Sequence, residues 1–110
     1  MTENIYNYKI TTDVGMNVTY ISPQQDMSVT NGYSVYAQWT GSPVGTIELQ
    51  ASLDGVNFVT IAGSPTPVNG PGEALWEVTT AFYDRVRIKY IPSGGSGTLN
   101  VQINGKGDKD

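Results

Sequence analysis

Four segments of the chain alternate apolar and polar side chains with a period of two. They cover residues 33–40, 46–52, 83–91 and 98–104. A period of two places every apolar side chain on one face of an extended strand, whereas a helix needs a spacing of three or four. No window of the sequence shows the apolar spacing of a helix. The alternation therefore predicts an all-β fold of antiparallel strands, each with one buried face and one face in water.

The apolar positions of these segments define a predicted core. It consists of Tyr33, Val35, Ala37, Trp39, Ile47, Leu49, Ala51, Val86, Ile88, Tyr90, Leu99, Val101 and Ile103. Shorter candidate strands lie at 16–22 and around Trp76.

Turn-forming residues separate the predicted strands. Asp54-Gly55 has the signature of a tight turn and predicts a hairpin over residues 46–61. Residues 63–73, rich in Gly and Pro, are predicted to form a loop, and residues 93–97 a turn. Short strands with turns every eight to twelve residues are typical of a sandwich or barrel. We predict a jelly-roll-like antiparallel β-sandwich of about seven to eight strands.

The 110 residues suit one domain, so we assign residues 1–110 to a single sandwich. Residues 1–12 are interpreted either as an edge strand or as an arm that reaches a neighbouring chain, because Tyr6, Tyr8 and Ile10 share one parity. Residues 105–110 are predicted to form a flexible, solvated tail. The first residues do not match a secretory signal.

The chain contains no cysteine and no histidine. This composition excludes Ser-His-Asp and Cys-His catalysis, disulfides and ordinary zinc sites. The acidic residues are scattered without the closely spaced run that a calcium loop uses, and the glycine cluster at 94–97 lacks the helix of a phosphate loop. A carboxylate-only hydrolase is disfavoured by the absence of a second domain that would form a cleft. We therefore predict a protein that is not an enzyme and binds neither metal nor cofactor.

The net charge of −4 argues against binding to nucleic acid or to anionic membranes, both of which require a basic surface. No run of 18 apolar residues is present to span a bilayer. We therefore predict neither a nucleic-acid partner nor a membrane partner.

Two groups of side chains are candidates for an interface. Trp76 and Tyr36 fall out of phase with their apolar neighbours, which suggests either a contact with another subunit, together with Tyr6 and Tyr8, or a platform for sugars. We favour the subunit contact. Three basic side chains share one strand face and form either a patch for an acidic partner or a solvated face paired with Glu48 or Glu77; we favour the second. They are Arg85, Arg87 and Lys89.

Several segments in order resemble small β-sandwich proteins encoded among the virion genes of tailed bacteriophages, some of which are thought to decorate or cement the particle. The matching segments are Trp39-Thr40-Gly41, Pro43-Val44-Gly45-Thr46, Ser52-Leu53-Asp54-Gly55-Val56-Asn57-Phe58, Arg85-Val86-Arg87-Ile88-Lys89-Tyr90 and Ser93-Gly94-Gly95-Ser96-Gly97-Thr98-Leu99-Asn100-Val101. The sequence departs from this pattern at Phe58, where such proteins are expected to carry Trp, and in the loop at 63–73.

The resemblance implies a virion structural protein that binds a capsid or tail lattice as a decoration or accessory module. It implies other virion proteins as partners, a homo-oligomer, and a location in the virion after assembly in the host cytoplasm. It supplies no catalytic residues. The alternative function is a carbohydrate-binding module for surface recognition, with glycans as ligands.

Overall fold

The structure, a computed structural model, describes residues 2–26, 32–78 and 85–109. The described residues form ten strands. These are β1 (Thr2–Gly15), β2 (Tyr20–Ile21), β3 (Gln25–Asp26), β4 (Gly32–Gly41), β5 (Val44–Ser52), β6 (Val59–Thr60), β7 (Thr66–Asn69), β8 (Gly72–Val78), β9 (Arg85–Gly94) and β10 (Gly97–Lys109). Within these residues we find no helix of the length and apolar character needed to cross a membrane.

The strands form two antiparallel sheets. Sheet A has the order β1-β10-β4-β8, and sheet B has the order β2-β9-β5-β6, with β3 also pairing with β9 and β7 with β5. If β2 with β3 and β6 with β7 are each counted as one interrupted strand, eight strands remain. Their order is then 1-8-3-6 in one sheet and 2-7-4-5 in the other, which is the jelly-roll topology. The predicted fold class is confirmed.

All thirteen residues of the predicted core are buried between the two sheets. Full burial of a Val, Leu or Ile side chain, the commonest types in this core, typically stabilises the folded state by about 1.5–3 kcal/mol. Two further residues complete the core: Met16, which follows β1, and Val68 in β7. Neither lies in an alternating segment, so their burial depends on how the connections pack over the open edges of the sandwich.

The connection between β5 and β8 differs from the predicted hairpin and loop. The return strand of the hairpin shortens to Val59–Thr60, and residues 63–73 contain a second short strand, Thr66–Asn69, as well as the start of β8. Both short strands pair with β5, at its two ends. Pro67 is tolerated because β7 lies at a sheet edge, where a missing N–H leaves no partner unpaired.

The two ends of the chain pair with each other. β1 lies at the edge of sheet A and aligns with β10 from Thr2 opposite Lys109 to Gly15 opposite Thr98. The segment expected to be a flexible tail therefore continues β10 as far as Lys109, because β1 supplies it with hydrogen-bonding partners. The molecule is elongated, with principal extents of 48 × 25 × 21 Å.

Candidate interaction surfaces

Trp76 lies on the inner face of sheet A, opposite Val35. Its ring is half-buried against the core, and its indole N–H donates a 2.9 Å hydrogen bond to the carbonyl oxygen of Ser64. The prediction that Trp76 is out of phase with the core was wrong. Its apolar neighbour Leu75 is the residue that faces outward, with 60% of its surface exposed. Trp76 therefore cannot share a platform with Tyr36, which points to the opposite side of the sheet.

Ser64 explains why Trp76 is held at this place. Its buried hydroxyl accepts the N–H of Leu49 at 3.1 Å and lies 2.7 Å from the carbonyl oxygen of Ile61, to which it donates. The carbonyl of Ser64 accepts from Trp76 in the other sheet. One residue thus ties β5 in one sheet to β8 in the other.

The tyrosines predicted for the interface occupy different environments. Tyr8 lies opposite Ile103 on the inner face and packs against the core. Tyr6 lies opposite Gly105 in β1, but its side chain is outside the described part of the structure. Tyr36 presents its ring on the outer face, with 38% of its surface exposed. The subunit contact assigned to these three residues stays a prediction.

Arg85, Arg87 and Lys89 follow the outer face of β9 in sheet B, and all three are half-buried. Lys89 lies opposite Glu48 in β5, and Arg85 lies opposite Asp26 in β3. Sheet B therefore places Glu48 in register with Lys89, and the cross-strand role of the three cations stays a prediction. Glu77, the other carboxylate considered from the sequence, lies in sheet A opposite Ser34.

Arg87, in the middle of the row, is committed to its neighbours. Its Nε donates to Oε1 of Gln50 at 2.8 Å, and its guanidinium lies 3.8 Å above the centre of the Phe58 ring. Gln50 in turn donates to Glu48, which also accepts a hydrogen bond from Thr60. The aromatic residue that departs from the phage pattern thus supports a cation–π contact in sheet B.

The turn after β5 and the start of β6 expose three apolar side chains that the sequence analysis did not select. Leu53, Val56 and Val59 are 71%, 79% and 69% exposed, and we call them the apolar tip. Single exposed apolar residues are ordinary, but three within seven residues of the chain are a feature of interaction surfaces. The signal in the sequence was Leu and Val on either side of Asp54-Gly55, where turns usually carry polar residues.

A hydrogen-bond network orders the turn that carries Leu53 and Val56 of the apolar tip. Oδ1 of Asp54 accepts the backbone N–H groups of Val56 and Asn57, both at 2.8 Å, and the Ser52 hydroxyl donates to the same oxygen. Ser52 also accepts the N–H of Gly55, whose φ of +76° suits glycine. The backbone and side-chain donors of Asn57, with Val56 and Ser52, hold the pKa of the Asp54 carboxyl well below its usual range.

A groove of about 240 Å³ crosses the outer face of sheet A between β1, β10 and β4. It opens where β1 departs from regular pairing, with register shifts on both sides of Thr11. Such bulges bend a strand and redirect its side chains. Tyr36 and Gln38 line one side of the groove, and Lys9 and Thr12 line the other.

Among the described residues there is no group of three or more acidic side chains placed to hold a metal ion. The described surface includes an apolar loop projection on sheet B and a polar groove on sheet A.

Comparison with solved structures places the chain among jelly-roll-like sandwiches. The SPBc2 prophage-derived protein YomS shares 13% identity with a TM-score of 0.63, covering 94% of this chain and 96% of that one. The PBSX exported protein XepA shares 14% identity with a TM-score of 0.66, covering 96% of this chain and 38% of that one. The VP2 protein of infectious bursal disease virus shares 11% with a TM-score of 0.58, covering 96% and 32%.

At these identities the likeness establishes a common fold. The chain has nearly the full length of YomS but spans about a third of the XepA and VP2 chains. No protein-family model and no curated protein sequence matches it. The fold is therefore shared with proteins of prophage and viral origin, while the surfaces that would carry function are this chain's own.

Proposed function

We propose that this chain is a non-enzymatic structural protein of a tailed-phage virion, attached to the capsid or tail lattice as a decoration or accessory module. The observation that carries the proposal is the apolar tip, which a hydrogen-bonded loop holds rigidly in water. A preordered apolar loop loses little conformational entropy on docking, so it is suited to attachment.

The fold supports the same function. Jelly rolls are common in capsid proteins, and the similar structures include a prophage-derived protein and a viral protein that forms particles. The absence of cysteine and histidine removes the commonest nucleophile–base pairs. A rigid module of this kind needs only repeated contact with its lattice, where weak contacts gain strength through avidity.

The chemistry of the tip indicates what it binds. Its three side chains are apolar, and the one carboxylate among them, that of Asp54, accepts hydrogen bonds from the loop's own N–H groups. We propose that the apolar tip inserts into an apolar depression on another virion protein. Copies of this chain in contact on the particle would form the homo-oligomer.

The test uses particles purified from cells that carry the encoding phage or prophage genome. Mass spectrometry should detect the chain in mature particles, and electron microscopy should place its density on the head or tail surface. The double substitution Leu53→Ser with Val56→Ser should reduce the amount bound to particles by about tenfold or more, since two buried apolar contacts are worth at least about 1.4 kcal/mol.

The matched control is Val18→Ser. Val18 is 62% exposed in the connection after β1, far along the chain from the tip, and its substitution should leave binding unchanged. Both variants should unfold within about 0.5 kcal/mol of the parent chain, as exposed substitutions usually do. Absence of the chain from mature particles would overturn the proposed function. Full binding by the double variant would overturn the role of the tip.

A further inference from the structure

The groove on sheet A combines an aromatic wall with a polar floor. Six side chains that are exposed or half-buried line it: Lys9, Thr12, Tyr36, Gln38, Asn100 and Gln102. The register explains their convergence, because Gln102 of β10 lies between Lys9 of β1 and Tyr36 of β4. Asn100 in turn lies opposite Gln38. Amides and hydroxyls therefore surround one accessible aromatic ring.

The ring of Tyr36 is held in place before any ligand arrives. Its hydroxyl donates a 2.5 Å hydrogen bond to Oε2 of Glu73 on β8, on the side away from the groove. This bond fixes the position of the phenol, and with burial it raises the pKa of Tyr36 above its usual value. A fixed ring adds contact area at little cost in side-chain entropy.

The polar groups of the groove divide into fixed and available ones. Asn100 is fixed, because its Oδ1 accepts the backbone N–H of Asp13 at 3.0 Å and its Nδ2 donates to the Asp13 carboxylate at 3.3 Å. Gln102 donates to Asn104 through Nε2. Within residues 2–26, 32–78 and 85–109, the Gln38 side chain makes no hydrogen bond, so both its donor and its acceptor are available.

We propose that this groove binds one pyranose ring of a neutral saccharide. The C–H face of a pyranose packs on an aromatic ring, while its hydroxyls donate and accept together, as amides do. The volume of about 240 Å³ is below the roughly 300–1,000 Å³ of sites for drug-sized ligands, which suits a single ring. Among the described residues that line the groove, Lys9 alone is charged, and the other polar groups are amides and hydroxyls, which suit a neutral ligand.

The inference is independent of the proposed attachment, because the groove and the apolar tip belong to different sheets. A module held to a particle through the tip would present many copies of the groove. A single sugar ring binds weakly, with a dissociation constant of the order of 1 mM. Multivalent display strengthens the binding by orders of magnitude.

The test is an NMR titration of the isotope-labelled chain with four methyl pyranosides: the glucoside, the galactoside, the mannoside and the N-acetylglucosaminide. At least one should produce saturable shift changes at the amides of Lys9, Tyr36, Gln38 and Gln102. Tyr36→Ala should weaken binding by about tenfold or more, and Gln38→Leu by about fivefold, as expected for loss of one wall and one hydrogen-bonding pair.

The matched control is Leu75→Ala, because Leu75 is exposed on the same face beside Tyr36 but does not line the groove. This variant should bind as the parent chain does, and Tyr36→Ala should still attach to particles. If none of the four glycosides produced shift changes, the proposal would be overturned. It would also be overturned if Leu75→Ala weakened sugar binding as much as Tyr36→Ala does. Tighter binding of methyl glucuronide than of the neutral sugars would overturn the assignment of an uncharged ligand.

Discussion

The hydroxyl of Tyr90 is a polar atom enclosed by the core. It makes no hydrogen bond with any part of the chain that the structure describes, and burial raises the pKa of this tyrosine. Its neighbour Gly45 leaves the space it needs, since a Cβ at that position would lie 2.9 Å from the hydroxyl oxygen. The ring stabilises the sandwich, whereas the hydroxyl has lost its water without gaining a partner.

We expect Tyr90→Phe to leave the free energy of unfolding unchanged or to raise it by about 1 kcal/mol, because the substitution removes an unsatisfied buried hydroxyl. Urea denaturation followed by fluorescence, with an unchanged m value, would measure this difference. Tyr36→Phe serves as the comparison, since it removes an exposed hydrogen bond and should change stability by no more than about 0.5 kcal/mol. A loss of 1 kcal/mol or more in Tyr90→Phe would show that the hydroxyl is bonded.

At the scale of elements, the turn from β9 to β10 is packed against the connection between β4 and β5. Gly95 has a φ of +68°, and a Cβ there would lie 2.0 Å from the carbonyl oxygen of Ser42. Gly70, which precedes β8, has a similar φ of +78° but open space around it. A comparison of substitutions at the two glycines therefore distinguishes the cost of a left-handed backbone from the cost of a steric clash.

Gly95→Ala should lower the free energy of unfolding by at least about 2 kcal/mol more than Gly70→Ala. Each substitution forces a left-handed backbone on alanine, at a cost of about 1 kcal/mol, but only the first also meets a backbone atom that cannot move aside. Thermal and urea unfolding of the two variants would give the difference. Equal losses would mean that the turn can shift away from Ser42.

The alternating strands were predictable because a single face of each packs in the core. Residues 33–40 and 98–104 follow this rule throughout, and their neighbours in the sheet could be predicted to be antiparallel. The return strand β6 was predicted as part of the hairpin, although it is shorter than expected. The short strand β7 was not predicted, since it forms only where β5 offers free hydrogen-bonding groups. The orientation of Trp76 was also not predictable from its immediate neighbours in the sequence. It is set by the pairing of β8 with β4 and by the hydrogen bond to Ser64.

The candidate surfaces were predictable only in part. Tyr36 was selected because it breaks the apolar phase of its strand, and it does line the groove. The amides that accompany it come from β10, which lies next to β4 although about sixty residues separate the two in the chain. The apolar tip requires a loop conformation that depends on Ser52 and Asp54, which no periodicity reports.

At the scale of the whole molecule, the pairing of β1 with β10 joins the two ends of the chain in one ladder. A circular permutant that links residue 109 to residue 2 through a short Gly-Ser segment should therefore fold, with new ends placed between Asn69 and Gly70. Such permutations succeed where the original ends are adjacent and the new ones lie in an exposed turn.

The permutant should show the same β-sheet circular dichroism spectrum and unfold within about 2 kcal/mol of the parent chain, since the core is unchanged. A second permutant opened between Val101 and Gln102, inside a central strand of sheet A, is the comparison and should fail to fold. If both failed, the prediction that the two ends can be joined without loss of the fold would be wrong.

The same ladder decides how the molecule responds to mechanical load. Because Thr2 and Lys109 form its first rung, tension applied between the two ends would peel β1 from β10 one hydrogen bond at a time. Strands pulled lengthwise past each other must instead break many bonds together. A chain of this design resists force poorly when stretched through its ends, and it bears strain only when gripped through its faces and loops.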